Sequence, residues 1–280
     1  MLRALNGGAI HVAINNLDDG LAACRVGGFD CLAMSPGLLA DKEAEEVKEA
    51  LFDAVVAPGA WGVPFNWRAS QDDFDTGFSA MKAQVKTMQA VGVTRCATWI
   101  LPGSNDLTTE ANTEFHRQRL TPIAQLLADH GMILGLEFVG PKTLRDKFTH
   151  GFFYSLMPMY EFAQTVGPNV GLLVDAWHMH TSESSLADLA TIPADKISLV
   201  HINDAPPNLG LDELVDHKRC LPCSTGVIDL PAFMATLREI GYEGPVEAEP
   251  FDETLKELPS DKDRLEKVGA AMAKAFAVAD

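Results

Sequence analysis

Eight short apolar runs alternate with segments of helical periodicity from one end of this 280-residue chain to the other, and no other feature constrains its fold so tightly. The runs are Ala9–Ile14, Phe29–Met34, Ala60–Phe65, Arg95–Ile100, Leu134–Phe138, Gly171–Asp175, Ile197–Ile202 and Val246–Glu249, each of strand length. Between them apolar residues recur at helical spacing. Phe74–Val91 carries Phe78, Met81, Val85 and Met88, and Phe115–His130 carries Leu120, Ile123, Leu126 and Leu127. Gly92, Gly131 and Gly241 follow such stretches where a left-handed C-terminal cap is expected, the last of them after Leu230–Ile240. Glu43–Phe52 has the pattern of a solvated helix, and the Ala-rich Leu265–Val278 is the expected last outer helix. No linker, low-complexity stretch or charge block divides the chain. Parallel strands need crossovers, and right-handed crossovers carry a sheet round on itself. The expected fold is therefore α/β, a single (β/α)8 TIM barrel over residues 1–280, with a doubly wound open sheet as the structural alternative.

Four of the late runs close on a residue that an apolar strand does not need. At their ends, or one residue short of them, stand Glu137, Asp175, His201 and Glu249. One acidic strand end is commonly a helix cap or an ion-pair partner, and a lone histidine is commonly a satisfied core residue. Four on consecutive strands are different, because the C-terminal ends of barrel strands meet at one mouth and four buried polar groups there need a shared partner. A divalent cation is the simplest one. Three carboxylates and one imidazole suit Mn2+, Zn2+, Co2+ or Mg2+, and the lack of thiolates argues against a structural zinc knot. His178, three residues past Asp175, is placed to reach back over the rim, whereas His180 has the pattern of a polar loop residue. Lys218 and Arg219 lie in a loop from which a guanidinium can descend on a ligand oxygen. Asn203 and Asp204 have the composition of a turn. Trp61, Phe65, Trp67 and Trp99 cluster at the ends of the third and fourth runs. Trp61 and Trp99 are expected to face substrate, with packing under loops as the other reading of the cluster.

Composition narrows the partners. A formal net charge of −17 repels polyanions, so neither nucleic acid nor an anionic membrane surface is expected to bind. No segment approaches the roughly 18 uninterrupted apolar residues of a membrane span, and no signal peptide is evident, so a cytoplasmic location is expected. Five cysteines do not make a disulfide framework. Cys24, Cys31 and Cys96 are expected as buried thiols, and the Cys220–Cys223 pair has no second half to complete a zinc site.

Five segments carry a resemblance. Leu136-Glu-Phe-Val-Gly140, Val170-Gly-Leu-Leu-Val-Asp-Ala-Trp-His178, Val200-His-Ile-Asn-Asp204, Arg219 with Pro222 and Gly226, and Glu249-Pro-Phe251 resemble, in order and spacing, the xylose-isomerase-like TIM-barrel superfamily. Within it the chain is similar to the sugar phosphate isomerase/epimerase group, closest to the inosose isomerases. The match is strong from about Leu134 to Phe251; before that only the strand rhythm agrees. The resemblance implies one divalent metal held by Glu137, Asp175, His201 and Glu249, with His178 and Arg219 on the substrate. It favours Glu249 over Glu247 because Glu249 precedes the Pro-Phe pair. The family loop before Gly226 usually reads Pro-Gly-x-Gly, and here Cys223-Ser-Thr departs from it.

The implied chemistry is isomerisation or epimerisation of a small keto-sugar or keto-inositol through a metal-stabilised enediolate, with Glu137 and Glu249 as acid and base. A metal-dependent dehydratase acting on a related polyol or inosose is the alternative, since the same chemistry can expel a β-hydroxyl. A non-catalytic sugar-binding barrel would not need all four metal-type residues. An endonuclease IV-like hydrolase would need further histidines and a cationic track. A homo-oligomer is compatible with the sequence, which leaves assembly open.

Overall fold

A computed structural model describes residues 1–277 of the chain. Eleven strands follow in chain order: β1 (Leu2–Leu5), β2 (Cys31–Leu32), β3 (Ala57–Pro58), β4 (Trp61–Gly62), β5 (Arg95–Ile100), β6 (Gly103–Ser104), β7 (Ile133–Phe138), β8 (His150–Gly151), β9 (Val170–Asp175), β10 (Ile197–Ile202) and β11 (Pro245–Ala248). All but β6 and β8 form one sheet in the order β3-β2-β1-β11-β10-β9-β7-β5-β4, and every pairing within it is parallel. The two ends of that order are consecutive in the chain, separated by Gly59 and Ala60 alone. The sheet thus returns to itself through a single extended segment, and β3 with β4 make the third of eight barrel strands. The break sits where the segment presses on its neighbour. Gly59 donates to the Leu32 carbonyl at 2.8 Å, and a Cβ on Gly59 would lie 2.6 Å from that oxygen. The short β6 and β8 pair antiparallel, apart from the barrel.

The first strand is a correction. The apolar pattern places it at Ala9–Ile14; Leu2–Leu5 forms it instead, hydrogen bonded in register to both Pro245–Ala248 and Cys31–Leu32. Residues 9–14 leave a 3-10 turn at Gly8–Ile10 through His11 in a left-handed conformation (φ 59°). Gly7 makes that turn feasible, because a Cβ there would sit 2.6 Å from the Val12 carbonyl oxygen. The other expected strands are present, with shifted ends. Glu249 lies one residue beyond β11, although its N–H still donates to the Ile202 carbonyl at 3.0 Å.

Helices cover the sheet by burying the stripes seen in the sequence. In Gln71–Ala90, Phe74, Met81, Val85 and Met88 are buried, and the Ser70 hydroxyl caps the first turn by accepting from the Asp73 N–H. Leu120, Ile123 and Leu127 do the same for Thr109–Ala128. Gly92, Gly131 and Gly241 all take positive φ. The final helix, Asp261–Ala277, starts four residues earlier than expected, and Val278 lies outside the described residues. Gly269 of that helix approaches Gly27 of the first helix, Leu17–Gly27, so closely that a Cβ would meet the Gly27 carbonyl at 2.0 Å. The first and last helices are thereby joined, as the first and last barrel strands are by the β1–β11 pairing. No helix among the described residues is long and apolar enough to cross a membrane.

Candidate metal centre and cavity

Strand parity aims four side chains at one point. Glu137 is the penultimate residue of β7, Asp175 ends β9, His201 is penultimate in β10, and Glu249 follows β11. Two residues behind them on the same faces, Leu173 and Leu199 pack with Ala60 and Ala97 as a small apolar floor inside the barrel. One ligand atom from each of Glu137, Asp175, His201 and Glu249 lies within 4.8 Å of the other three. His201 Nδ1 is 3.4 Å from Glu137 Oε1, 3.9 Å from Asp175 Oδ2 and 3.3 Å from Glu249 Oε2. Ligand atoms about 2.1 Å from a tetrahedral ion stand about 3.4 Å apart, so the spacing suits a cation. Two buried atoms make the same point. Glu137 Oε1 and His201 Nδ1 are shielded from solvent and, although 3.4 Å apart, form no hydrogen bond with each other or with any other group. Buried polar atoms left orphaned are costly unless something binds them.

Electrostatics bind the group together. Burial alone would push the His201 imidazole down, but Glu249, Glu137 and Glu247 around it hold its pKa well above the ordinary value of 6.5. Burial raises the Glu137 carboxyl. It also works to raise Glu249, but the His201 and Arg219 charges outweigh it and hold that carboxyl down at about 2. Arg219 is itself buried, and Asp175, Glu249 and Asp216 keep it firmly charged against the pull of burial. Its Nη1 donates to Asp175 Oδ2 at 2.7 Å and to Glu249 Oε2 at 2.8 Å, while Nη2 donates to Asp216 Oδ1 at 2.9 Å. His178 is buried beside it. The Gly140 N–H donates to His178 Nδ1 at 3.2 Å, which leaves the ring proton of a neutral imidazole on Nε2, 3.9 Å from both Glu137 and Asp175. The two sequence-predicted substrate contacts therefore join the cluster, next to the ligand set.

A cavity of about 570 Å3 opens above the cluster. Glu137, His201, Glu247 and Glu249 line it, as do Trp61 and Trp99, with Trp61 buried and Trp99 48 % exposed. The Arg68 guanidinium stacks 4.2 Å from the Trp99 ring centre and donates to the Trp99 carbonyl. Phe65 and Trp67 are packing residues. Phe65 meets Phe74 edge-on, and the Trp67 indole donates to Thr98 Oγ1 at 2.9 Å beneath the rim. His180 is half-buried at a separate hollow beside Glu183 and Leu211. Cys24, Cys31 and Cys96 are buried as expected, and burial also raises the Cys220 and Cys223 thiols, away from the thiolate form.

Asn203 and Asp204 are not turn residues; both are fully buried. The Asn203 amide donates to Asp175 Oδ1 at 2.9 Å and to the Glu249 carbonyl at 3.3 Å, tying two candidate ligands together. The Asp204 carboxylate accepts the backbone N–H groups of Ala205, Thr225, Gly226 and Ile228, and its backbone pairs with Cys220. It clasps both ends of the loop that delivers Arg219. These N–H bonds hold its pKa below the ordinary value although burial works to raise it. Strand parity was the available signal: Asn203 lies two residues after His201 and shares its side of the chain.

The family model of the xylose isomerase-like TIM barrel matches residues 21–274. The chain belongs to that family. Among curated relatives, the inosose isomerase of Bacillus velezensis is 27 % identical over 246 residues, covering 85 % of this chain and 84 % of the relative. A shorter match, 30 % over 143 residues, covers 49 % of this chain and 22 % of the 3-dehydroshikimate dehydratase of Pseudomonas putida. A solved xylose isomerase domain protein from Alicyclobacillus acidocaldarius superposes with a TM-score of 0.86 at 26 % identity, over 99 % of this chain and 98 % of its own. The IOLI protein, solved with a bound zinc atom, has a TM-score of 0.80 at 22 % identity, over 99 % and 98 %. The curated relatives thus include an isomerase and a dehydratase, and the donor set in this chain fits a divalent metal on its own geometry.

Proposed function

We propose that this protein is a divalent-metal-dependent isomerase or epimerase of a small, uncharged keto-sugar or keto-inositol, with Glu137 and Glu249 as its acid and base. The observation that carries the reading is the pair of orphaned buried atoms, Glu137 Oε1 and His201 Nδ1, inside a four-residue donor group of which Glu137, His201 and Glu249 line an open cavity. Glu137, Asp175, His201 and Glu249 would hold the ion, which would be Mn2+, Zn2+, Co2+ or Mg2+. Once bound, it would supply Lewis acidity toward a substrate carbonyl, making the neighbouring C–H proton easier to remove. Glu137 and Glu249 enter from strands on opposite sides of His201, so one carboxylate can take that proton while the other returns it to a different atom or face. Arg219, oriented by Asp216, and the Nε2–H of His178 would hold substrate oxygens. Trp61 and Trp99 would cover the C–H faces of the ring.

The cavity wall supports an uncharged substrate. Among the described residues lining it there is no lysine or arginine, and three glutamates face inward. A phosphate ester or a carboxylate would meet like charge on that wall, and would find positive charge only at the ion and at Arg219, where the keto-sugar oxygens are held. This favours a keto-inositol or simple ketose over a dehydroshikimate-type acid, although the dehydratase relative keeps elimination as the second reading.

The test is proton exchange. Metal-reconstituted protein is incubated with keto-inositols and ketoses in D2O and followed by NMR. Deuterium at the carbon next to the carbonyl, with the product an isomer of the substrate, is the expected result. Loss of water with an unsaturated product would transfer the protein to the dehydratases, and no exchange with any of them would overturn the reading. Glu137→Gln and Glu249→Gln should each lower exchange by about 10²-fold or more, measured at matched metal content.

A further inference from the structure

His201 turns only one of its ring nitrogens toward the other candidate ligands. Nδ1 stands 3.3–3.9 Å from Glu249, Glu137 and Asp175, whereas Nε2, on the opposite side, lies 3.5 Å from Glu247 Oε2. Glu247 is 2 % exposed, and its Oε2 accepts the Asn6 amide at 2.9 Å. Asn6 comes from the far end of the chain. It follows β1, whose Ala4 pairs in register with Glu247, so closure of the barrel brings the amide and carboxylate together. The imidazole that binds a metal is the neutral form, with a proton on one nitrogen and a lone pair on the other. A carboxylate fixed beside Nε2 favours the proton there and leaves the lone pair on Nδ1, aimed at the donor group. Glu247 itself stands outside that four-residue group.

We infer that Glu247, aimed by Asn6, is a positioning residue that sets the ring proton and orientation of His201 for metal binding, and that it is neither a fourth carboxylate ligand nor the acid or base. The inference rests on the metal reading proposed above. It assigns different work to the two glutamates of the Val246-Glu-Ala-Glu249 run: Glu249 binds, and Glu247 orients the residue that binds.

The full-length protein and its Glu247→Gln, Asn6→Ala and Glu249→Gln variants are loaded with Zn2+ and titrated against a chelator. Glu247→Gln should still bind one ion per chain, with affinity roughly 10- to 100-fold weaker, the usual effect of removing a carboxylate that orients a ligating histidine. Asn6→Ala should weaken it in the same direction, and it supplies the result if the glutamate variant does not fold. Glu249→Gln should lose far more. A second readout is the 15N spectrum of the Zn2+-loaded His201 ring, where the Nε2 proton should exchange with water faster in both orienting variants. Affinity and exchange unchanged in Glu247→Gln, or in Asn6→Ala should it stand in, would overturn the inference while leaving the metal reading intact. The same holds for a Glu249→Gln protein that keeps its zinc while Glu247→Gln loses it. Wild-type protein that takes up no zinc would instead overturn the metal reading, and this inference with it.

Discussion

Asp175 shows how much one buried carboxylate can be asked to do. It is fully buried and accepts from Arg219, Asn203 and the Trp177 backbone N–H, so it caps a helix, neutralises a guanidinium and offers a metal ligand. Removing it strands Arg219 in the interior with one partner fewer. Breaking a buried ion pair from one side costs about 3–5 kcal/mol. Asp175→Ala should therefore lose stability of that order in urea unfolding of the metal-free protein, beyond any loss of metal. A Glu249→Gln protein, which keeps Arg219 paired with Asp175 and Asp216, should unfold much nearer to the wild type. Equal stability of Asp175→Ala and wild type would show that the Arg219 network is worth little.

At the scale of elements, the helix Thr109–Ala128 carries a pH-dependent weakness into the core. His116 packs among Trp67, Phe115, Phe152 and Phe162, bonds through Nδ1 to the Asn112 carbonyl, and has no partner for Nε2. Burial pushes its pKa from 6.5 down to about 4. The folded state then refuses a proton that the unfolded chain accepts, so this histidine's contribution is fully present above pH about 6.5. It is lost as pH falls toward 4, by about 3 kcal/mol over the whole window. Urea unfolding at pH 7 and pH 5 should show a smaller drop in His116→Phe than in the wild type; identical drops would remove His116 as the cause. The Arg219 loop is the opposite case, an irregular segment made rigid by one side chain, since Asp204 receives four of its neighbours' N–H groups.

The whole molecule couples the site to the fold, because the four candidate ligands sit on adjacent strands of a closed sheet. An ion bound only by the folded state at 100 times its Kd adds about 2.7 kcal/mol. For a chain of 280 residues that corresponds to a rise of roughly 5 °C in Tm. Differential scanning calorimetry with Zn2+ or Mn2+ should show the rise, and chelator should reverse it; a Tm that ignores metal would place the ion outside the folding equilibrium.

The alternation of apolar runs and helical stripes along the chain specifies the barrel, and the polar residue closing each of four late strands specifies where its mouth is charged. Those features are local: strand parity decides which face a residue takes, and a carboxylate or imidazole carries its chemistry with it. Which apolar segment serves as the first strand is not local, since Leu2–Leu5 and residues 9–14 are similar in character and only pairing with Pro245–Ala248 at the other end separates them. The same long-range closure brings Asn6 to Glu247, and the folded loop brings Arg219 to Asp175 and Glu249. The sequence alone determined the alternation and the donors. Only the tertiary structure decided how the remaining polar residues divide the work of holding them, because that depends on neighbours hundreds of residues apart in some cases and on angles that no local pattern encodes.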